Sequence, residues 1–246
     1  MYLFYAPEIA ATLTLPEEES QHCVQVLRAQ AGEKILVTDG VGTLYECEIT
    51  NPHRKHCEVC ILHSETPEAL HEGYVHVAIA PTKNIDRLEW MIEKTTEMGI
   101  DEITPILCEH SERKTVNEER LHKIMIAAAK QSLKTAFPRL NPLTSLNDLF
   151  ASVREEDRFI AHCMSDEEQS SLQANYRPTE GKEALWHQIR RGKHTLILIG
   201  PEGDFSPREV EQALSCGFVP VSLGKARLRT ETAGIAACHT AILLNS

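Results

Sequence analysis

The chain of 246 residues is 42% hydrophobic and 25% charged, which is typical of a globular protein with one large or two modest domains. Its first residues, MYLFYAPEIA, show no basic segment followed by a long apolar run, and no apolar stretch is long enough to cross a bilayer. These features disfavour a secreted or membrane-spanning protein, so we expect a cytoplasmic protein with no membrane partner. The net charge of −11 argues at first sight against nucleic acid, because phosphate groups bind Lys and Arg.

The charge is unevenly distributed along the chain. Residues 1–70 carry most of the excess of Asp and Glu, whereas the segment from Arg113 to Arg139 is rich in Lys and Arg and has only Glu118 and Glu119 as acids. This segment predicts either a local basic surface that binds RNA or an ordinary solvated helix face, and charge alone does not separate the two.

The eight cysteines and twelve histidines show no spacing typical of a metal site. Only Cys57 and Cys60 form a CxxC pair, and no second pair follows at zinc-finger spacing. The pair lies in HCEVCIL, which predicts a strand, so two positions three apart point to opposite faces. We therefore expect reduced cysteines that pack as small hydrophobic side chains, and no bound metal.

The first part of the sequence predicts a small β-rich domain. KILVTDG and TLYECEI are typical of strands joined by a turn at Asp39-Gly40, HCEVCIL of a third strand, and Pro16–Ala29 of one short helix. The polar segment Ser64–Gly73 is the best candidate for a domain boundary. We expect a small barrel at residues 1–70 and a second domain at residues 71–246.

After this boundary, strands and helices alternate. The predicted helices are Ile85–Met98, Asn117–Thr135, Glu180–Arg191, Ser206–Cys216 and Thr230–Leu244. The predicted strands are YVHVAIA, EITPIL, RFIAHC, HTLILIG and VPVSLG. The fourth helix is the best marked, because Ser206 fits the N-cap, Pro207 the first turn and Glu209 a capping box. The alternation predicts an α/β fold with a mostly parallel sheet covered on both faces.

Two loops lie where ligands bind in such sheets, between the carboxyl end of a strand and the following helix. The glycines of Gly200–Phe205 let the backbone approach a ligand, although the spacing matches neither a phosphate-binding loop nor a dinucleotide fingerprint, and glycines alone fit a plain turn. Glu202 favours a site, since a carboxylate beside apolar residues needs a partner. Gly224–Thr230 places Arg227 and Arg229 at a helix start, where they would favour an anion or, alternatively, pair with surface carboxylates.

These loops and their flanking elements resemble a known family. ILIGPEGDFSPREVEQALSCGF followed by VSLGKARLRTETAGIAA is similar to the C-terminal signature of the SPOUT methyltransferases, and more narrowly to the branch that forms N3-methyluridine in 16S rRNA. His22–Arg28 resembles the HxxxVLR segment of a PUA-like N-terminal domain, and Glu93–Gly99 and Lys130–Ser132 resemble further segments. The resemblance covers essentially the whole chain. It departs at Asp204, where the family usually has Gly, and at Ala226-Arg227, where it usually has Arg and an aliphatic residue.

The resemblance implies a PUA-like barrel followed by a SPOUT domain with a deep trefoil knot, whose knotted loops bind S-adenosylmethionine. It also implies a homodimer with the active site near the subunit interface, and 16S rRNA or the small ribosomal subunit as partner. The cofactor-binding residues that it implies are Ile199, Gly200, Glu202, Gly203, Leu223, Gly224, Leu228 and Arg229. The RNA-binding residues are His22, Arg28, Arg113, Lys130 and Arg227.

The implied reaction moves the sulfonium methyl group in line to N3 of a uridine, with no metal and no covalent enzyme intermediate. Arg229 and the start of the last helix are expected to stabilise the charge that remains when N3 loses its proton. Glu202 or Glu231 is expected to be the base, or either is structural.

Other functions remain open on sequence grounds. A SPOUT enzyme that acts on another RNA, or on a ribose 2′-oxygen, would share both loops. A ribosome-assembly factor without catalysis would hold RNA with the same fold and would bind no S-adenosylmethionine. A nicotinamide-dependent dehydrogenase is disfavoured, because the dinucleotide fingerprint and its ribose-binding acid are absent.

Overall fold

In a computed structural model, residues 2–163 and 182–246 are described, and the chain divides into two compact units. The first unit contains residues 1–69 and 125–137, and the second contains residues 70–124 and 138–246. The sequence pattern predicts a boundary near residue 70, but it contains no signal that residues 125–137 belong with the first unit.

The first unit contains a four-stranded sheet in the order β1-β2-β3-β4. Its strands are β1 (Leu3–Tyr5), β2 (Lys34–Thr38), β3 (Leu44–Asn51) and β4 (Glu58–Glu65), with β1 parallel to β2 and the other pairs antiparallel. The three predicted strands are confirmed, and β1 is additional. The sheet and the short helix α1 (Ile9–Thr12) bury an apolar core that includes Phe4, Ile9, Val37 and Ile49.

The helix predicted over Pro16–Ala29 is wrong in its detail, because it consists of two shorter pieces. α2 (Glu17–Gln21) is followed by a π-helical turn, His22–Val26, in which the Leu27 amide donates to the His22 carbonyl at 3.0 Å. The backbone then takes a left-handed φ of 58° at Arg28. Such π-helical turns are rare and occur frequently at functional sites.

The second unit contains, within the described residues, a sheet in the order β10-β12-β9-β11-β5-β6-β7, with β8 also paired to β6. Every pairing is parallel, which confirms the predicted α/β architecture. The strands are β5 (Tyr74–Ile79), β6 (Glu102–Leu107), β7 (Arg139–Leu140), β8 (Thr144–Ser145), β9 (Asp157–Ala161), β10 (Glu183–Ala184), β11 (His194–Ile199) and β12 (Val219–Ser222).

The remaining helices are α3 (Ile85–Met98), α4 (Glu118–Gln131), α5 (Leu146–Ser152), α6 (Leu185–Gln188), α7 (Pro207–Ser215) and α8 (Thr230–Asn245). α7 has the predicted capping box, since the Ser206 hydroxyl accepts from the Glu209 amide at 3.3 Å and the Glu209 carboxylate accepts from the Ser206 amide at 2.8 Å. The helix predicted over Glu180–Arg191 is wrong in length. Residues 180 and 181 lie outside the described residues, and because β10 pairs with β12, the helix starts only at Leu185.

No helix in residues 2–163 and 182–246 is long and apolar enough to cross a bilayer. In the same residues, no cluster of three His, Cys, Asp or Glu side chains is suited to a metal ion. Cys57 is buried just before β4 and Cys60 is half-buried within it, so packing accounts for this pair.

Candidate functional site

One edge of the parallel sheet brings several loops of the second unit together. β12, β9, β11 and β5 are neighbours in that order, and because they run parallel, their carboxyl ends meet. His162 and Cys163 follow β9 at this edge. Gly200–Phe205, which we call the first loop, follows β11, and Leu223–Arg229, which we call the second loop, follows β12.

Two cavities of about 710 Å³ each open at this edge. Cavity A is lined by the ends of β9 and β12 and by the second loop as far as Leu228. Cavity B is lined by the first loop, the end of the second loop and the start of α8. The cavities adjoin, because they share five lining residues: Ala161, Cys163, Arg227, Leu228 and Ala233.

The residues predicted to bind a cofactor come together around these cavities. Leu223 and Gly224 line cavity A, and Leu228 lines both cavities. Cavity B is lined by Ile199, Gly200, Glu202, Gly203 and Arg229. The two glycine-bearing loops, which are separated in sequence by α7 and β12, therefore lie side by side.

Hydrogen bonds hold the first loop firmly. Asp204 has a φ of 63°, and its two carboxylate oxygens accept from the amides of Cys163 at 2.7 Å and Phe205 at 2.8 Å. His110 Nδ1 lies 3.1 Å from the Gly203 carbonyl oxygen. Asp204 therefore takes a left-handed backbone conformation, which Asp tolerates better than most residues, and its carboxylate ties the loop to the end of β9.

Glu202 and Arg113 both contact the segment that follows β5. Glu202 is exposed, and its Oε1 accepts from the Lys83 amide at 3.0 Å. Arg113 donates to the Thr82 carbonyl at 3.1 Å and to the Lys83 carbonyl at 2.9 Å. The carboxylate thus has a partner, and the guanidinium group that was predicted to bind RNA is already engaged with backbone oxygens.

The second loop has far fewer contacts. The Ser222 hydroxyl accepts from the Gly224 amide at 3.1 Å and lies 3.2 Å from the Gly224 carbonyl. Gly224 has a φ of +118°, which other residues rarely adopt, and a side chain there would meet no atom within 4 Å. Within the described part of the chain, neither Arg227 nor Arg229 makes a hydrogen bond or an ion pair through its side chain, and both are exposed. Both guanidinium groups are therefore available to an anion.

α8 begins directly after the second loop. Arg229 is its N-cap residue, and no side chain caps the first turn. Glu231 is buried, and its Oε1 lies 3.8 Å from Arg87 Nε, while its Oε2 has no hydrogen-bond partner among the described residues. Glu202 lines cavity B, whereas Glu231 is absent from the described lining of both cavities. Of the two carboxylates predicted as bases, Glu202 therefore faces a cavity and Glu231 is buried beside Arg87.

His162 is a cavity residue that sequence reasoning missed, since, among the twelve histidines, it was considered only for metal-site spacing. It lines cavity A, is 8% exposed, and within the described residues neither ring nitrogen has a hydrogen-bond partner. Burial, together with the Lys182 ammonium, lowers the pKa of His162 to about 3, so the ring is neutral. The available signal was its place directly after a strand at the ligand-binding edge.

The other residues predicted to bind RNA lie in the first unit. His22 is half-buried, with its ring centroid 6.3 Å from that of Tyr2. Arg28 is exposed at the end of the π-helical turn. Lys130 forms a close ion pair with Glu19. His22 and Arg28 thus retain exposed surface, whereas Lys130 is largely occupied.

The basic segment from Arg113 to Arg139 is partly neutralised by acidic partners. Arg120 lies 2.6 Å from the Glu89 carboxylate, and Lys123 lies 2.7 Å from the Glu119 carboxylate. The local excess of Lys and Arg in the sequence therefore overstates the positive charge that this segment offers to RNA.

Two parts of the chain match models of RNA methyltransferase domains. Residues 70–242 match the family model of the RNA methyltransferase domain, and residues 15–62 match that of the RNA methyltransferase PUA domain. The chain belongs to the RNA methyltransferase family.

Within this family, the chain resembles ribosomal RNA small subunit methyltransferase E. The Bacillus subtilis protein of that name is 28% identical over 92% of this chain and 88% of its own length. The Aquifex aeolicus protein of that name is 25% identical over 100% of both chains.

Solved structures extend this likeness to three dimensions. A crystal structure of a "probable rRNA-methyltransferase" from Porphyromonas gingivalis has a TM-score of 0.89 and 41% identity, and covers 100% of this chain and 98% of its own. Ribosomal RNA small subunit methyltransferase E from Neisseria gonorrhoeae, bound to S-adenosyl methionine, has a TM-score of 0.78 and 26% identity, and covers 97% and 95%.

Proposed function

We propose that this protein transfers the methyl group of S-adenosylmethionine to N3 of a uridine in 16S rRNA of the small ribosomal subunit. The observation that carries the proposal is the meeting of the first and second loops around adjoining cavities at the carboxyl edge of a parallel sheet. The names of the relatives support small-subunit rRNA as substrate, and the Neisseria structure supports the cofactor. With this substrate we also propose a cytoplasmic location.

The residues at this edge fit S-adenosylmethionine. Gly224 leaves open space beside its backbone, Leu223 and Leu228 supply apolar surface, and His162 presents two buried nitrogen atoms that have no partner among the described residues. The residues that would hold the cofactor are Ile199, Gly200, Glu202, Gly203, Leu223, Gly224, Leu228 and Arg229. When bound, S-adenosylmethionine supplies a methyl group that the sulfonium already activates, so the protein's own tasks are to align the reacting atoms and to exclude water.

Arg229 is the residue that we assign to stabilise the charge on the uridine ring. N3 loses its proton as it gains a methyl group, and the electron pair that the proton leaves behind develops negative charge on the ring. The Arg229 guanidinium is exposed and unpaired within the described residues, and it stands at the N-terminus of α8, whose first amides add positive potential.

Glu202 is the carboxylate that we assign to accept the N3 proton. It lines cavity B, and only one of its oxygens is used by the Lys83 amide among the described contacts. Glu202→Gln should lower kcat, measured at saturating S-adenosylmethionine, by roughly 100-fold or more, because a positioned base contributes about that much. Glu231→Gln is the matched comparison. A larger loss of kcat in Glu231→Gln than in Glu202→Gln would transfer the assignment to Glu231.

The first unit, for which we propose the PUA-like barrel that the resemblance implies, is proposed to position the RNA through His22 and Arg28. Arg227 would add a phosphate contact beside the cavities, since its guanidinium is free within the described residues. Arg113 and Lys130, which already have partners, would contribute positive potential. His22→Ala with Arg28→Ala should raise KM for rRNA and leave the Kd of S-adenosylmethionine unchanged, and an unchanged KM would contradict the assignment.

We further propose the trefoil knot and the homodimer that the family resemblance implies. The strand order supports a knot, because β11 lies between the earlier strands β9 and β5 while β12 pairs on the other side of β9. The exposed side chains of Trp90, Trp186 and Leu243 support a subunit interface. A crystal structure that traces the chain continuously from β9 to α8 tests the knot. Sedimentation equilibrium tests the dimer, and the mass of a single chain at all concentrations would contradict it.

Nucleoside mass spectrometry of 16S rRNA from cells with and without this protein tests the function as a whole. We expect N3-methyluridine to disappear in the deletion strain and to return with the wild-type chain but not with Arg229→Ala. Loss of a 2′-O-methylated nucleoside, or of a methyl group from another RNA, would contradict the proposed specificity. Unchanged nucleosides, together with no binding of S-adenosylmethionine in calorimetry, would indicate an assembly factor that does not catalyse methyl transfer.

A further inference from the structure

His162 is a buried histidine whose ring nitrogens have no hydrogen-bond partner among the described residues. It follows β9, is 8% exposed and lines cavity A. Within the described residues, neither Nδ1 nor Nε2 has a hydrogen-bond partner. Because buried polar groups in folded proteins are almost always hydrogen-bonded, a buried imidazole with both nitrogens unpaired needs a partner beyond the described residues, and the adjoining cavity has room for a bound ligand.

His76, in the same sheet, shows the contrasting arrangement of a structural histidine. It is 3% exposed, and its Nδ1 lies 2.6 Å from a Glu155 carboxylate oxygen while its Nε2 lies 2.7 Å from the Thr104 hydroxyl. Both nitrogens of His76 are therefore satisfied by side chains. The two histidines are buried to a similar degree, so burial alone does not explain why His162 lacks partners. His162 differs in that no described side chain reaches its ring nitrogens, where cavity A leaves room for a ligand.

The chemistry of cavity A favours a neutral group with both a donor and an acceptor. The pKa of His162 is lowered to about 3 by burial and by the Lys182 ammonium, so the imidazole carries one N–H donor and one acceptor nitrogen. Val221, Leu223 and Leu228 add apolar lining. An adenosine offers donors, acceptors and an apolar ring face, whereas the amino-acid end of S-adenosylmethionine carries two full charges. Those charges suit the exposed Glu202 and Arg229 of cavity B.

We propose that His162 hydrogen-bonds the adenosine portion of S-adenosylmethionine in cavity A. The inference rests on the proposed function, because it takes the methyl donor as the ligand of this edge. His162 is then a positioning residue that fixes the nucleoside end of the donor, and its neutral ring does not repel the sulfonium charge.

His162→Phe in the full chain tests this inference, because phenylalanine keeps a ring and removes both nitrogens. We expect the Kd of S-adenosylmethionine in calorimetry to rise roughly tenfold, which corresponds to the loss of one or two hydrogen bonds. The melting temperature without ligand should stay equal or rise, since an apolar ring replaces two unpaired polar atoms. His162→Gln, which keeps a donor and an acceptor, should bind more tightly than His162→Phe.

His76→Phe is the matched control, in which we expect the stability to change and the affinity for S-adenosylmethionine to stay the same. Its melting temperature should fall because Glu155 and Thr104 lose their partner, while the Kd of S-adenosylmethionine should stay within about twofold of wild type. 5′-Methylthioadenosine, which lacks the amino-acid end, separates the two ends of the donor. His162→Phe should weaken its binding by the same factor as for S-adenosylmethionine.

The outcomes are distinguishable from failure of the proposed function. If the wild-type chain binds S-adenosylmethionine and His162→Phe binds it equally well, the inference is overturned and the cofactor assignment stands. If the penalty vanishes with 5′-methylthioadenosine, the contact is with the amino-acid end and the adenosine assignment is wrong. If the wild-type chain binds neither compound, the proposed function itself fails. Should His162→Phe not fold, His162→Leu gives the same readings.

Discussion

The two loops at the functional edge differ in how firmly the protein holds them. The first loop is tied to the end of β9 through Asp204, and His110 contacts its backbone. The second loop is held mainly by the Ser222 hydroxyl at Gly224, and its residues 224–227 are exposed. The first loop is therefore a preformed wall of the cavities. The second loop combines local freedom with unpaired guanidinium groups, so we expect it to be the part that meets the substrate.

The difference follows from where each loop leaves the sheet. The first loop follows β11, which has β9 on one side and β5 on the other, so the segments after those strands lie beside it and supply hydrogen bonds. The second loop follows β12, whose outer neighbour is the two-residue strand β10. Two loops that look alike in sequence, each with a glycine after an apolar strand, thus gain unequal support from the topology of the sheet.

Arg229→Ala should have the largest effect on activity, because we propose that Arg229, in the weakly held second loop, stabilises the charge of the transition state. We expect kcat for methyl transfer to fall by about 100-fold or more, the effect of removing one such donor. The free energy of unfolding should change by less than about 0.5 kcal/mol, since the side chain has no partner within the described residues. Methyl transfer from labelled S-adenosylmethionine and urea denaturation measure the two quantities.

Lys225→Ala in the same loop is the control for Arg229→Ala. Lys225 is exposed and lines cavity A, but it precedes α8 by five residues, so kcat should fall much less than in Arg229→Ala. A folded Arg229→Ala protein with full activity would contradict the proposal that the first loop forms a fixed wall while the second loop acts on the substrate.

The stability of the protein without ligand should fall as the pH drops below 6.5, and His162 should cause a defined part of this loss. The ordinary pKa of a histidine is 6.5, whereas burial and Lys182 lower the pKa of His162 to about 3 in the folded chain. Between these values the unfolded chain binds a proton that the folded chain excludes, so acid favours unfolding. By pH 4.5 we expect a loss on the order of 2 kcal/mol from this group.

Urea denaturation from pH 7.5 to 4.5 measures this dependence. The gap in the free energy of unfolding between His162→Phe and the wild type should widen in favour of the variant as the pH falls. If the two proteins show the same dependence of unfolding free energy on pH, the His162 imidazole is already solvated. Cavity A would then be open to water at His162.

Asp204→Ala tests the bracing of the first loop. The variant loses the acceptors for the Cys163 and Phe205 amides and places alanine at a left-handed φ, so we expect about 2 kcal/mol of destabilisation in urea denaturation. Asp204→Gly loses the same hydrogen bonds without the backbone strain and should be less destabilised by roughly 1 kcal/mol. If both variants match the wild type, the carboxylate does not hold the loop.

Much of the fold follows from local patterns. β5 and β11 are mainly apolar, as is typical of strands buried in a parallel sheet, and α7 begins where Ser206 and Glu209 form a capping box. The two loops were found in the same way, from their position between strand and helix. The sequence singled out Asp204 as a departure from the resembling family, but its bond to the Cys163 amide depends on the end of a strand 41 residues earlier.

The features that sequence reasoning missed depend on contacts between distant segments. In sequence, His162 looks like any histidine after a strand. What distinguishes it is that its ring nitrogens have no hydrogen-bond partner among the described residues, and this can be seen only in the structure. The helix predicted at Glu180–Arg191 is shortened because β10 pairs with β12. The sequence of residues 125–137 predicts mostly helix, but it does not indicate that this segment belongs to the first unit. Periodicity reports the environment of a segment, not the identity of its neighbours.

Arg227→Ala should give the smallest effect and should divide the second loop itself into two roles. Arg227 and Arg229 are both exposed and unpaired within the described residues, but only Arg229 is the N-cap of α8. We expect Arg227→Ala to raise KM for rRNA about threefold, to leave kcat unchanged, and to reduce the slope of log affinity against log salt by about one, as for one lost phosphate contact. A fall in kcat comparable to that of Arg229→Ala would mean that the two arginines act on the reacting base together, and the second loop would then have one role.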